Sequence, residues 1–151
     1  MTDANKVILL VEDNPDDEML TLRAFKRSHV MNPIAVARDG IEALDFLFAR
    51  GAHSDRVGAA LPTLIILDLK LPKLDGLGVL KALRADARTQ LIPVVILTSS
   101  KEEQDLISGY SLGANSYVRK PVDFTEFLEA VKILGIYWLM MNQAPPERAM
   151  P

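Results

Sequence analysis

Leu64-Ile65-Ile66-Leu67-Asp68-Leu69-Lys70-Leu71-Pro72 is the stretch that decides the fold. Four large apolar residues, two of them β-branched, run without a polar break into a carboxylate, and a turn begins at Leu71-Pro72. Such a run reads as a central strand buried on both faces, with an acid at its C-terminal end. In open parallel sheets ligands gather outside the carboxyl ends of the strands, which puts Asp68 where chemistry is expected.

The same pattern recurs on both sides of that stretch. Toward the N-terminus, Lys6-Val7-Ile8-Leu9-Leu10-Val11 runs into Glu12-Asp13-Asn14-Pro15-Asp16-Asp17. Asn14 suits an N-cap and Pro15 the first helical position, so a helix is expected from Pro15 to about Ser28. Asp16 and Asp17 are read as dipole-compensating groups of its first turn, outside any site. Ile34 to Ala37 makes a short strand, and Asp39 with Glu42 forms a capping-box pattern for the next helix. Arg50 to Pro62, with Gly51 and Gly58, reads as a long surface loop.

Toward the C-terminus, Asp75-Gly76 reads as a turn ahead of a helix that turns Leu77, Val79, Leu80 and Leu83 inward. Pro93 to Leu97 is a further apolar strand, ending in Thr98-Ser99-Ser100. Ser100 with Glu103, or Ser99 with Glu102, is expected to cap the following helix, and Gly113 to end it. Ser116 to Arg119 makes the last strand, which runs into Lys120-Pro121, and Asp123 with Glu126 opens the last helix. Five strands alternating with five helices predict an α/β fold, a doubly wound parallel sheet with helices on both faces. Residues 1–141 are expected to form one domain with no output domain. Residues 142–151 are expected to form a tail or dimerisation arm.

Composition narrows the function classes. A chain of 151 residues is long enough for one domain with a real core. The absence of cysteine excludes disulfides, thiolate metal sites and cysteine nucleophiles, and a reducing cytoplasm is the expected location. A net charge of −3 gives no basic footprint for nucleic acid. No run is long and apolar enough for a membrane span, and nothing before the first strand resembles a secretory signal. His29 and His53 share no ligand spacing and are read as surface or loop residues.

The chemistry lies at the strand ends. Glu12 and Asp13 follow the first strand, Asp68 the third, Thr98 the fourth and Lys120 the fifth. Carboxylates gathered at one rim repel unless a hard cation lies between them, and Mg²⁺ takes oxygen ligands of this kind. Lys120 can neutralise an oxyanion beside that metal, and Thr98 can donate a hydrogen bond to it. These are the parts needed to place a phosphoryl group on Asp68.

With these residues in order, the chain resembles the receiver domain of two-component response regulators over roughly Lys6 to Leu139. The resemblance implies the flavodoxin-like strand order 2-1-3-4-5, an order the general rules for doubly wound sheets illustrate with a member of this family. It implies that Asp68 accepts a phosphoryl group from a histidine kinase in a phosphorelay. It further implies that Asp13, Asp68 and the backbone carbonyl of Lys70 bind Mg²⁺, with Glu12 acting through a metal-bound water. Thr98 and Lys120 would hold the phosphoryl oxygens. Their movement would draw Tyr117 inward and rearrange the face made by the fourth helix, the fifth strand and the fifth helix. A cis Lys120-Pro121 bond and assistance to the domain's own phosphorylation and dephosphorylation are also implied. Within the family, the opening Ile8 to Asp17, the Arg38-Asp39-Gly40 to Leu44 turn, the long loop before the third strand and Leu69-Lys70-Leu71-Pro72 are similar to single-domain regulators paired with phytochrome-type histidine kinases.

Two other functions use a similar sheet. A haloacid-dehalogenase-type phosphohydrolase places a second acid two residues after its nucleophile, where this chain has Lys70. A flavodoxin-like flavin carrier binds phosphate after the first strand, where Glu12, Asp13, Asp16 and Asp17 would repel it.

The last helix carries a separate signal. Ile133 to Met141 has no charged residue and is apolar around its circumference, where a surface helix keeps one polar side. A second protein surface is therefore expected over it, most simply a symmetric copy of the chain contacting Ile136, Tyr137, Trp138 and Leu139. Dimers built on this face are what the phytochrome-type resemblance implies.

Overall fold

The structure, a computed structural model, describes residues 6–143 and residue 145. Five parallel strands lie in the order β2-β1-β3-β4-β5: β1 Ile8–Val11, β2 Ile34–Ala37, β3 Leu64–Leu67, β4 Val94–Thr98 and β5 Ser116–Arg119. The helices are α1 Pro15–Arg27, α2 Gly40–Phe48, α3 Gly76–Ala85, α4 Glu103–Ser111 and α5 Phe124–Ile136. The expected flavodoxin-like α/β architecture is therefore the one observed.

Side chains alternate across the sheet, as strand geometry requires. Leu9, Val11, Ile65, Leu67 and Ile96 face α2 and α3, packing on Ala43, Leu47, Val79, Leu80 and Leu83. Ile8, Leu10, Ile66, Val95 and Leu97 face α1 and α5, packing on Ala24, Phe25, Phe127 and Val131. Each fully buried aliphatic side chain contributes about 1.5–3 kcal/mol relative to exposure. The register Val11↔Leu67 sets the ends of β1 and β3 level, and Leu67↔Ile96 carries β4 two residues further, so Glu12, Asp68 and Thr98 emerge at one rim.

Local sequence explains most helix starts. The Asn14 side chain accepts the N–H groups of Asp16 and Asp17, Asp39 accepts that of Glu42, Asp75 that of Gly78, and Asp123 that of Glu126. Glu42 reaches back to the N–H of Arg38, one residue earlier than the usual box partner. The fourth helix departs from expectation. Glu102 occupies its N-cap position without a side-chain bond. Ser100 Oγ accepts the N–H of Glu102 and donates to Asp105 Oδ2, so the serine ties the loop to the first turn of the helix. Gly113, at φ +101°, ends α4 as expected, with Ala114 N–H donating to the Gly109 carbonyl. Part of the expected loop after α2 is a 3₁₀ helix, Gly51–Arg56, whose Arg56 lies 3.5 Å above the Phe46 ring.

Arg84 joins three elements. Its guanidinium donates to the carbonyls of Gly113, Gln90 and Ile92 and to Asn115 Oδ1 at 2.8 to 3.0 Å, and Asn115 Oδ1 also accepts the Val94 N–H. Arg84→Ala strips several half-buried carbonyls of a charged donor. It is expected to lower stability in urea unfolding by about 2–3 kcal/mol without changing the slope.

The last helix continues into a π-helical turn, Tyr137–Met141. Of the four residues expected at a dimer contact, Ile136 and Tyr137 are exposed, while Trp138 and Leu139 pack in part against the α1/α5 core of their own domain. Ile133 and Met140, outside the expected set, extend the exposed face, at 58% and 59% exposure. Most of the expected dimerisation arm, residue 144 and residues 146–151, lies outside the described residues.

Candidate functional site

Every acid assigned from the sequence emerges at the C-terminal rim of β1 or β3. Asp68 follows β3 directly, its N–H bonded to the Val11 carbonyl at 3.0 Å, and Glu12 follows β1 with its N–H on the Ala37 carbonyl. Glu12 and Asp68 are buried, and Asp13 is open to water. One carboxylate oxygen from each of Glu12, Asp13 and Asp68 lies within 4.8 Å of the others. An all-oxygen trio with one face on solvent fits a hard divalent cation that keeps part of its water shell, Mg²⁺ being the usual one.

The β3–α3 turn shapes the site from below. Asp68 Oδ1 accepts the Leu69 N–H at 2.7 Å and the Lys70 N–H at 3.4 Å, which fixes the carboxylate. Gly76 lets the start of α3 approach this turn, because a Cβ there would run into the Asp68 carbonyl and the Leu69 Cα. Asp75-Gly76 reads in the sequence only as a turn, and nothing local in the chain signals this contact.

Lys120 enters from β5, its N–H on the Thr98 carbonyl at 2.7 Å. Its ammonium donates to Glu12 Oε2 at 2.6 Å, Asp17 Oδ2 at 2.8 Å and Asp68 Oδ2 at 3.0 Å. Burial opposes the charge on Lys120. Its hydrogen bonds to Asp17 and Glu12, with the charge of Asp68, outweigh that and hold its pKa above the usual lysine range. Burial also pushes Glu12 up to about 7; its hydrogen bond from Lys120 lowers it and the charge of Asp68 raises it. Asp17 departs from the expectation that placed it outside any site: it lies in the first turn of α1 as expected, but its carboxylate belongs to the site.

Thr98 is fully buried at the end of β4, and its Oγ1 accepts the Ser100 N–H. The same loop reaches the β3–α3 turn through Asp105, which accepts Ser100 Oγ at 2.6 Å and pairs with Lys70 at 3.3 Å. The bond from Ser100, with help from Lys70, holds Asp105 below the usual carboxylate range. Tyr117 has its hydroxyl buried without a hydrogen-bond partner among the described residues, and its ring stands close to Gly109 of α4. All described peptide bonds are trans, so the implied cis Lys120-Pro121 bond is absent. A cavity of about 280 Å³ opens beside Lys120, between Asp17 and Leu20 of α1 and Pro121, Val122 and Phe124. A larger one, about 530 Å³, lies on the outer face of α1 among Met19, Arg23 and Lys26 and has no part in this chemistry.

Comparison with known proteins decides the family, since the model of the response regulator receiver domain matches residues 8–132. The chain belongs to this family. Among curated relatives, it is 42% identical to FilR2 of Methanothrix harundinacea, named as a probable methanogenesis regulatory protein, over 92% of this chain and 87% of that one. Response regulator Rcp1 of Synechocystis is 37% identical over 89% of each chain. The crystal structure of the Mn²⁺-bound form of Rcp1 superposes with a TM-score of 0.87 at 36% identity, covering 93% of this receiver and 99% of that chain. The bacteriophytochrome response regulator AtBRR is 49% identical, with a TM-score of 0.72 over 91% of this receiver and 98% of that chain. The chain is thus a receiver domain homologous to phytochrome response regulators, and neither the phosphohydrolase nor the flavin-carrier alternative gains support. No helix among the described residues is long and apolar enough to cross a membrane.

Proposed function

We propose that this receiver accepts a phosphoryl group on Asp68 from the phosphohistidine of a histidine kinase and signals by changed protein contacts. The observation that carries the reading is one ammonium, Lys120, held at hydrogen-bond distance from Asp68 beside the carboxylate trio. An oxygen of the Asp68 carboxylate forms the new bond to phosphorus as the bond from phosphorus to the imidazole nitrogen breaks, the nitrogen keeping the electron pair. Asp13, Asp68, the Lys70 carbonyl and Glu12 through a water would hold Mg²⁺, which neutralises charge on the transferring group. Lys120 and Thr98 hold phosphoryl oxygens, and attack of water on the acyl phosphate later returns Asp68 and inorganic phosphate. Movement of Thr98 pulls on Ser100 and, through Asp105, on α4, which carries the change to Tyr117 and the α4-β5-α5 face.

The kinase is of the phytochrome type, a reading supported by the 49% likeness to a bacteriophytochrome response regulator. A second copy of the chain covers the exposed end of α5, where Ile133, Ile136, Tyr137 and Met140 form an apolar face. Both proteins act in the cytoplasm, and no DNA is bound, in keeping with the acidic charge.

Purified protein with Mg²⁺ and a small phosphodonor is expected to gain one phosphoryl group by intact-mass measurement, and none in the presence of a chelator. No gain with Mg²⁺ contradicts the function. Light scattering is expected to give a dimer that Ile136→Glu with Tyr137→Glu converts to a monomer; a wild-type monomer at high concentration contradicts the second copy.

A further inference from the structure

Asp17 has no established place in the site, and its surroundings give it one. An ammonium has three donors, and those of Lys120 go to Glu12, Asp17 and Asp68, so the lysine is saturated. Glu12 and Asp68 belong to the metal-binding trio, and Asp17 does not. Nor does α1 need the Asp17 carboxylate. Asn14 caps the helix, and Asp16 and Glu18 supply negative charge to its first turn. The Asp17 side chain instead crosses 103 positions of sequence to reach Lys120.

We propose that Asp17 is the positioning residue for Lys120, holding one of its N–H groups while the metal and the phosphoryl group claim the others' acceptors. The inference rests on the phosphoryl-acceptor reading. When a cation draws the oxygens of Glu12 and Asp68 toward itself, two of the lysine's three acceptors turn away. Asp17 stays, anchoring the ammonium beside Asp68 with two N–H groups free for phosphoryl oxygens. Without Asp17, the ammonium has only Glu12 and Asp68 to bind, and these are the oxygens that the metal requires. Lysine and metal then compete, and the amine is less well placed for transfer.

The test compares wild type, Asp17→Asn and Asp16→Asn, the last removing an equal charge from the same helical turn without touching Lys120. By calorimetry with Mg²⁺ alone, Asp17→Asn is expected to bind roughly tenfold more weakly. At saturating Mg²⁺ its phosphorylation by a small phosphodonor is expected to be about tenfold slower. Asp16→Asn should match wild type in both, and Asp17→Glu should recover part of the loss. In the metal-free protein, the ¹⁵N-labelled ammonium of Lys120 is expected to give a slowly exchanging NMR signal whose exchange Asp17→Asn speeds and Asp16→Asn leaves unchanged. If Asp17→Asn behaves as Asp16→Asn does in binding, rate and ammonium signal, Asp17 is no anchor. A wild type that takes up neither Mg²⁺ nor phosphoryl group contradicts the function itself, and the ammonium signal still decides on Asp17.

Discussion

Asp68→Asn is expected to gain no phosphoryl group under conditions that label the wild type stoichiometrically. The substitution keeps the size and shape of the side chain, and the amide oxygen can still accept the N–H groups of Leu69 and Lys70. It removes the negative charge on the attacking oxygen, and with it both the nucleophile and one metal ligand. Folding should survive. Glu12, Asp17 and Asp68 crowd around one ammonium with Asp13 beside Glu12 and Asp68, and deleting one negative charge relieves repulsion among them. Thermal unfolding of Asp68→Asn without Mg²⁺ is accordingly expected at or above the wild-type temperature. Equal labelling of variant and wild type would place the acceptor elsewhere.

Lys120→Met is expected to slow phosphoryl transfer by about 10²–10³-fold, the usual cost of removing one preorganised group from a developing oxyanion. Methionine keeps much of the apolar stem and deletes the charge. It leaves Glu12 and Asp68 buried without their cation, so stability at neutral pH should fall by about 3 kcal/mol. The loss should shrink on acidification. Native Glu12, already raised to about 7, binds a proton at higher pH than the ordinary 4.5 expected of it in the unfolded chain. Between those values the folded state holds more protons, so this group's contribution to stability rises as the pH falls. Urea unfolding of the variant at pH 8 and pH 5.5 checks the sign. A larger loss at the lower pH would mean that Glu12 is not the group relieved.

The elements that the sequence reveals are those whose cause is local. Uninterrupted apolar runs give β1, β3 and β4 their burial, and Asn14, Asp39, Asp75 and Asp123 begin their helices through bonds two or three residues away. Site residues at strand ends are legible for a related reason, because parallel strands in register bring the residues beyond their C-terminal ends to one rim. The functions of Asp17, Asp105 and Arg84 depend instead on contacts made only in the folded molecule. Asp17 looks like a helix-cap acid until β5 delivers Lys120 beside it. Asp105 is an ordinary first-turn acid until Ser100 and Lys70 converge on it. Arg84 is a surface arginine of α3 until the Gly113 and Ile92 carbonyls are placed around it. Trp138 and Leu139 illustrate a different limit. Periodicity marks Ile133 to Met141 as apolar on every side, but cannot say which side its own domain covers, and the π-helical turn changes the direction in which these residues point.

Convergence of Asp13, Asp68, Lys120 and Thr98 on one phosphoryl group is tested most directly by a crystal structure grown with Mg²⁺ and beryllium fluoride, which mimics a phosphoryl group on a carboxylate. The adduct is expected on Asp68, with Lys120 Nζ and Thr98 Oγ1 on its fluorines. The cation should lie about 2.0–2.1 Å from oxygens of Asp13 and Asp68 and from the Lys70 carbonyl, with Glu12 one water away. An adduct on another side chain, or a cation bound away from Asp13 and Asp68, would contradict that convergence.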